Sequence, residues 1–268
     1  MRKSKWFHKY ALALELFVTA NLAFLAFDVF IAHSVNAFAH WGEWIPFLFS
    51  IIASLLLFLA LLIGSSGLWY LGGLGVGWSS VGIGIGGMLF HLESQFFADF
   101  TIKSLVYTAP FAAPLAFCGL GLLLIMNRMV HGESIEWGKW IVFMALGGFF
   151  GNFVLSLCDH AQNGFFKPSE WIPIFTSAIA VGFLMTALLQ PINLPFLKVC
   201  GAILMVNGLV GVLGFYLHLS VDLQSAELSA RDKLIYGPPL FAPLLFTDLA
   251  LLGMLGIWHL ARKLQEIR

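Results

Sequence analysis

Charged residues are scarce in this chain of 268 residues, because only 10% are Asp, Glu, Lys or Arg. Soluble domains carry about 25% charged residues. Hydrophobic residues make up 60% of the sequence, and 14 basic residues are balanced by 14 acidic ones. This composition excludes a soluble globular protein and a disordered chain, and the absence of net positive charge argues against nucleic-acid binding. We expect a polytopic protein surrounded by a lipid bilayer, with no nucleic acid among its partners.

Cysteine is also rare, and its spacing indicates no disulfide framework and no metal site. Cys118, Cys158 and Cys200 lie in or at the end of apolar stretches, and no C-x-x-C-H motif for covalent haem attachment occurs. We expect the three thiols to act as small buried hydrophobic groups.

Eight apolar runs are long enough to cross a bilayer core of about 30 Å, which needs roughly 20 helical residues. The runs are 11–33, 44–63, 68–91, 105–126, 138–159, 171–190, 196–218 and 236–260. If the N-terminus is cytoplasmic, ten of the 14 Lys and Arg residues lie on the cytoplasmic side. The positive-inside rule then predicts an all-α protein of the cell inner membrane with both termini in the cytoplasm.

The sequence contains an internal duplication. A shift of 127 residues places His33–Leu57 on His160–Leu184 without a gap, and 11 of the 25 positions are identical. The shift also aligns two glycines and a histidine in each half, Gly84, Gly87 and His91 with Gly211, Gly214 and His218. We predict two four-helix units, 1–130 and 131–268, with the same orientation and a pseudo-twofold axis along the membrane normal.

Four histidines occupy equivalent positions in the two units, at the predicted outer ends of spans 1, 3, 5 and 7: His33, His91, His160 and His218. Ionisable residues within spans are costly and tend to line functional cavities. We expect these four to point inward and share a ligand. Asp159, Tyr107 and Tyr236 are candidates to orient the imidazoles. The unpaired His8, His40, His131 and His259 are expected at the surface or the membrane interface.

Glycines precede one histidine of each unit by seven and four residues, on the same helical face. A strip without side chains leaves either a slot for a porphyrin, whose iron takes axial imidazole, or room for a neighbouring helix. Both alternatives stay open, and the candidate cofactor-contacting glycines are Gly84, Gly87, Gly211 and Gly214.

Other polar elements are expected to be structural or lack a counterpart in the second unit. The segments 43–46 and 170–173, both Glu-Trp-Ile-Pro, are typical of helix starts at an interface. Glu15, Asp28 and Asp248 lie within spans and have no equivalents. Each belongs either to a proton path or quinone site or to a hydrogen bond between helices.

Three functions are compatible with these patterns. The first is a membrane redox protein that binds b-type haem near the outer face through the paired histidines, either within each unit or across the pseudo-twofold axis. Its electron partner would be a quinone or a redox partner on that face. The second is an enzyme with a zinc, copper or iron ion at the same histidines, helped by Asp159 or Glu93. The third is a small-solute transporter built from two parallel repeats.

Overall fold

A computed structural model describes residues 9–64, 67–191, 193–224 and 229–267 of the chain. The described part does not include His8. It also leaves out Arg2, Lys3, Lys5 and Arg268, which are among the ten Lys and Arg residues expected on the cytoplasmic side. The structure is 84% helical and has no strand in the part described, so the all-α membrane class is confirmed at this level.

The described residues form eleven α-helices. In chain order they are α1 (Lys9–Ser34), α2 (Trp44–Ile63), α3 (Gly73–Glu93), α4 (Phe96–Asp99), α5 (Ile102–Tyr107), α6 (Leu115–Met129), α7 (Ile135–Gln162), α8 (Trp171–Leu189), α9 (Leu194–Gln224), α10 (Ala230–Tyr236) and α11 (Leu244–Ile267). Single 3-10 turns, Trp41–Glu43 and Pro168–Glu170, lead into α2 and α8, and a π-helical turn, Leu68–Gly72, leads into α3.

Seven of these helices are long and apolar enough to cross a membrane: α1, α2, α3, α7, α8, α9 and α11. Helix α6 is apolar but has only 15 residues, about 22 Å at 1.5 Å per residue, which is shorter than a bilayer core of about 30 Å. The described residues therefore support seven of the eight predicted spans, and the eighth stays a prediction.

Proline shortens the two helices that differ most from the expected spans. The sequence predicted a span from residue 105 and another from residue 236, but α6 begins at Leu115 and α11 at Leu244. Pro114 and Pro243 directly precede these starts. A proline lacks the N–H that a continuing helix needs, and it disfavours helical geometry in the residue before it. The segments before these prolines are therefore short helices followed by turns.

Apolar side chains fill the interior and also cover the outside. Helix α1 packs against α2 and α6, α7 packs against α6, α8 and α11, and α9 packs against α8 and α11. Leu14 and Val18 of α1 are fully buried, while Leu62 and Leu71 are 67% and 70% exposed. An outer surface this apolar is unstable in water, so it indicates a lipid environment.

Candidate functional site

The same turn follows α1 and α7. The N–H of Phe38 donates to the carbonyl of His33 at 3.1 Å, and the N–H of Phe165 donates to that of His160 at 3.1 Å. Phe38 and Phe165 both adopt left-handed backbone geometry, with φ of 54° and 53°. A phenylalanine rarely adopts this conformation, so its occurrence at equivalent positions marks a specific turn in both halves.

This turn brings a glutamate to each histidine. Glu43 Oε1 lies 3.9 Å from His33 Nδ1, and Glu170 Oε2 lies 3.8 Å from His160 Nδ1. Asn36 donates to Glu43 Oε1 at 2.7 Å. Neither glutamate makes a side-chain cap to the helix that follows it. The Glu-Trp-Ile-Pro elements, expected to be structural, therefore also contribute a carboxylate to each histidine cluster.

The second histidine of each half is fixed by a backbone carbonyl. His91 Nδ1 lies 2.9 Å from the Pro110 oxygen, and His218 Nδ1 lies 2.8 Å from the Pro239 oxygen. A carbonyl only accepts hydrogen bonds, so Nδ1 carries a proton in both rings, and in a neutral imidazole this leaves the lone pair on Nε2. Metal-bound histidines commonly make this kind of second hydrogen bond.

The histidines meet within each half. The ring centres of His33 and His91 lie 6.2 Å apart with an interplanar angle of 73°. His160 and His218 interact electrostatically and line one cavity. We define the first cluster as His33, Glu43 and His91, and the second cluster as His160, Glu170 and His218. The sequence left the pairing open, and the structure places each pair in a single half.

The glycines beside His91 and His218 face neighbouring helices. A Cβ on Gly87 would lie 2.8 Å from Pro114 Cβ, and one on Gly214 would lie 2.7 Å from Pro243 Cβ. A Cβ on Gly84 would lie 2.6 Å from the backbone nitrogen of Cys118, and a Cβ on Gly211 would lie 2.8 Å from the Pro243 carbonyl oxygen. This geometry favours close helix packing over a porphyrin slot at these positions.

A cavity of about 480 Å³ opens beside the second cluster. Helices α7, α8 and α9 and the start of α11 enclose it, and Asp159 lies in its wall together with His160. Tyr107 and Tyr236, by contrast, lie at the ends of α5 and α10 with 48% and 64% of their surface exposed. Among the described residues, no hydrogen bond joins either tyrosine hydroxyl to a histidine.

No compact metal centre is preformed in the part of the chain that the structure describes. Neither cluster brings three His, Cys, Asp or Glu side chains close enough together to hold an ion. Glu93, suggested by the sequence as a ligand, ends α3. Glu43 and Glu170 instead lie within 4 Å of His33 and His160.

A second polar network lies near the opposite helix ends. Glu15 and Arg128 form an ion pair at 2.7 Å, and both side chains are 0% exposed. Arg128 Nε also donates to the Trp69 carbonyl at 3.1 Å, and its guanidinium lies 4.4 Å from the Trp69 ring centre. Glu15 is thus fully paired. In the sequence, Arg128 was only one of the ten Lys and Arg residues expected on the cytoplasmic side. Its contact with Glu15 was not predicted, because 113 residues separate the partners.

Other intramembrane polar residues also have defined places. Asn21 donates to Asp248 Oδ1 at 3.0 Å, so this carboxylate bonds a neighbouring helix. Asp28 lines a small cavity of about 160 Å³. His259 is 0% exposed and lies 3.1 Å from the Gly132 oxygen. The expectation that His259 lies at a surface was wrong, because α11 packs that face of its last turns against α7 and Tyr10.

Comparison with known proteins returns no relative: no family model matches the chain, and no curated protein or solved structure matches it.

Proposed function

We propose that this protein is an integral membrane redox protein that binds b-type haem near its outer face, with His33 and His91 as the axial ligands. The observation that carries the proposal is the ring pair of the first cluster, whose centres are 6.2 Å apart. The proposal includes the eight-span architecture, the two parallel four-helix units and the cytoplasmic termini.

The ring separation is compatible with axial ligation. Two imidazoles on one iron place their ligand nitrogens about 4 Å apart, twice a metal–nitrogen bond of about 2 Å. Each ring centre lies about 1 Å behind its nitrogen, so an axial pair has ring centres about 6 Å apart. The hydrogen bond from His91 Nδ1 to Pro110 leaves Nε2 for the iron. Haem bound there would accept and release single electrons.

Room for the porphyrin must come from the outer side of the cluster, because the glycine strip is packed against Pro114. The His33 side chain is 20% exposed, so the cluster is accessible from that side. Phe38 lies next to it, with ring centres 5.9 Å apart. Its aromatic face would suit a flat ligand.

Absorption spectra of the purified protein test the proposal. We expect a Soret band from one haem per chain in the wild type, lost in His33→Ala and His91→Ala. His131→Ala is the matched control, because His131 is an exposed histidine outside both clusters, and it should keep the band. Absence of haem from protein made in haem-replete cells, or its retention in both cluster variants, would contradict the proposal.

A transition metal is the second candidate, and the glutamates favour it. Glu43 Oε2 and Glu170 Oε2 are buried without a hydrogen-bond partner among the described residues, and their carboxylates lie within 4 Å of His33 and His160. Two histidines and a carboxylate suit zinc or non-haem iron. Elemental analysis distinguishes the candidates. A wild-type protein that contains metal but shows no Soret band, together with loss of the metal in Glu43→Gln, would support the transition-metal site.

A further inference from the structure

The face of α7 that lines the cavity beside the second cluster is polar, whereas the equivalent face of α1 in the first half is apolar. Three polar residues of α7 line it: Asn152, Ser156 and Asp159. At a spacing of four and three residues they share one helical face. The shift of 127 residues aligns them with Leu25, Val29 and Ala32 of α1. The two halves therefore differ in the face that adjoins the histidines.

The cavity also contains polar atoms without partners. Asn152 is 3% exposed, and its Nδ2 has no hydrogen-bond partner among the described residues. Glu170 is 9% exposed, and its Oε2 has none either. A buried polar group without a hydrogen bond destabilises the folded protein, because it has lost its bonds to water. A bound molecule that accepts from Asn152 and donates to Glu170 would remove both costs.

We propose that this cavity binds the headgroup of a membrane quinone or quinol. The ligand's ring carries oxygens on opposite sides, so one accepts from the Asn152 amide while the quinol hydroxyl donates to the Glu170 carboxylate. Apolar walls from residues such as Leu155, Val210 and Leu213 suit the ring and the start of an isoprenoid tail. The volume of about 480 Å³ lies in the usual range for small-molecule sites, about 300–1,000 Å³.

The charges of the lining disfavour an anionic lipid headgroup. Asp159 and Glu170 are both in the wall, against one Lys or Arg side chain among the lining residues, that of Lys167. The two carboxylates would repel a negatively charged phosphate, whereas they would not repel a neutral quinol. The inference rests on the proposed redox function for the choice of a redox-active ligand, and it assigns the second cluster to this ligand and the single haem to the first.

Calorimetric titration of the purified full-length protein with decylubiquinol, the reduced form whose hydroxyl can donate to Glu170, tests the inference. We expect one saturable site per chain, with affinity about tenfold weaker in Asn152→Leu, which introduces the first-half residue and removes one hydrogen bond. Ser156→Ala is a second variant, which removes a hydroxyl from the cavity wall with little change in volume, and it should weaken binding severalfold. Ser80→Ala is the control, because Ser80 lies outside this cavity and its buried hydroxyl has no hydrogen-bond partner among the described residues.

Several results would overturn the inference. These are the absence of saturable binding, wild-type affinity in both folded cavity variants, or equal displacement by dodecylphosphocholine, which has a tail but no quinone ring. The haem proposal is judged separately. Decylubiquinol binding in a protein without haem contradicts only the haem proposal, whereas a haem-loaded protein that does not bind the quinol contradicts only this inference.

Discussion

Two buried residues, Glu15 and Arg128, illustrate how much one ion pair matters inside a membrane protein. Both side chains are 0% exposed, and Arg128 also bonds the Trp69 carbonyl. A pair buried in this way is not a large source of stability by itself, but removal of one partner leaves an uncompensated charge in a medium of low polarity.

We expect Glu15→Gln and Arg128→Met each to lower the free energy of unfolding by about 3–5 kcal/mol. The double variant Glu15→Leu/Arg128→Met should recover much of the loss, since it leaves no isolated charge. Thermal melting in detergent measures both effects. The control is the more exposed pair Lys263–Glu266, where Glu266→Gln should leave the melting temperature nearly unchanged because solvent screens the pair. Single variants that melt like the wild type would show that the pair is not buried as described.

At the residue scale, the sequence identified the histidines but not their acidic neighbours. The duplication isolated His33, His91, His160 and His218 because identical residues recur at one spacing. Glu43 recurs equally well, but its position at a helix start gave a sufficient structural reason for an acid there. The contact between Glu43 and His33 depends on the left-handed turn at Phe38. Residue type does not predict that turn, because phenylalanine rarely adopts it.

At the scale of the helices, the main feature is the close packing of α3 against α6. Helix α3 lies against α6 through Gly77, Gly84 and Gly87, where a Cβ would come within 3.0 Å of atoms of α6 or of Pro114. Glycine permits this approach because it has no side chain. Gly86, on another side of α3, has no such atom within 4 Å.

Gly87→Ala should therefore destabilise the protein by about 1–3 kcal/mol, the usual cost of overpacking. Gly86→Ala is the matched control and should be neutral or slightly stabilising, because alanine is the better helix former. Melting temperature and haem content per folded protein are the measurements. If Gly87→Ala kept its stability and lost only a cofactor signal, the glycine would be serving the ligand instead of the packing.

Helices were predictable where a long apolar run has no proline beyond its first turn. The predicted span 11–33 corresponds to α1 at Lys9–Ser34, and 171–190 to α8 at Trp171–Leu189. The run from 105 passed a hydropathy criterion although Pro110 and Pro114 interrupt it. The Pro110 carbonyl accepts a hydrogen bond from His91 Nδ1 instead of from a helix N–H. Hydropathy reports how apolar a segment is, and backbone hydrogen bonding decides where the helix begins.

For the whole molecule, the distribution of Lys and Arg predicts which face is outside. We expect Lys103→Cys, in a background without native cysteines, to react with a membrane-impermeant maleimide in intact cells. Glu133→Cys should react only after permeabilisation. Both positions are exposed, and the positive-inside rule places Glu133 in the cytoplasm. The reverse labelling would invert the topology, and labelling of both from outside would mean an even number of crossings between the two positions.

Contacts between the halves are the part that the sequence did not reveal. Asn21 reaches Asp248, and Gln162 donates to the Val106 carbonyl at 2.8 Å. These residues have no counterparts in the other half, so the duplication gave no signal for them. Their separations of 227 and 56 residues also exceed the range over which periodicity predicts neighbours.

The Glu15–Arg128 pair has a consequence for synthesis at the ribosome. The partners are 113 residues apart, and chains grow at about 5–20 residues per second. The first helix thus waits on the order of ten seconds before its arginine is made. During this interval Glu15 must be hydrated or shielded by the insertion machinery, because an unpaired charge in a bilayer is costly. Nascent chains truncated before Arg128 should therefore be held at the translocation site or degraded, whereas chains a few residues longer can complete the pair.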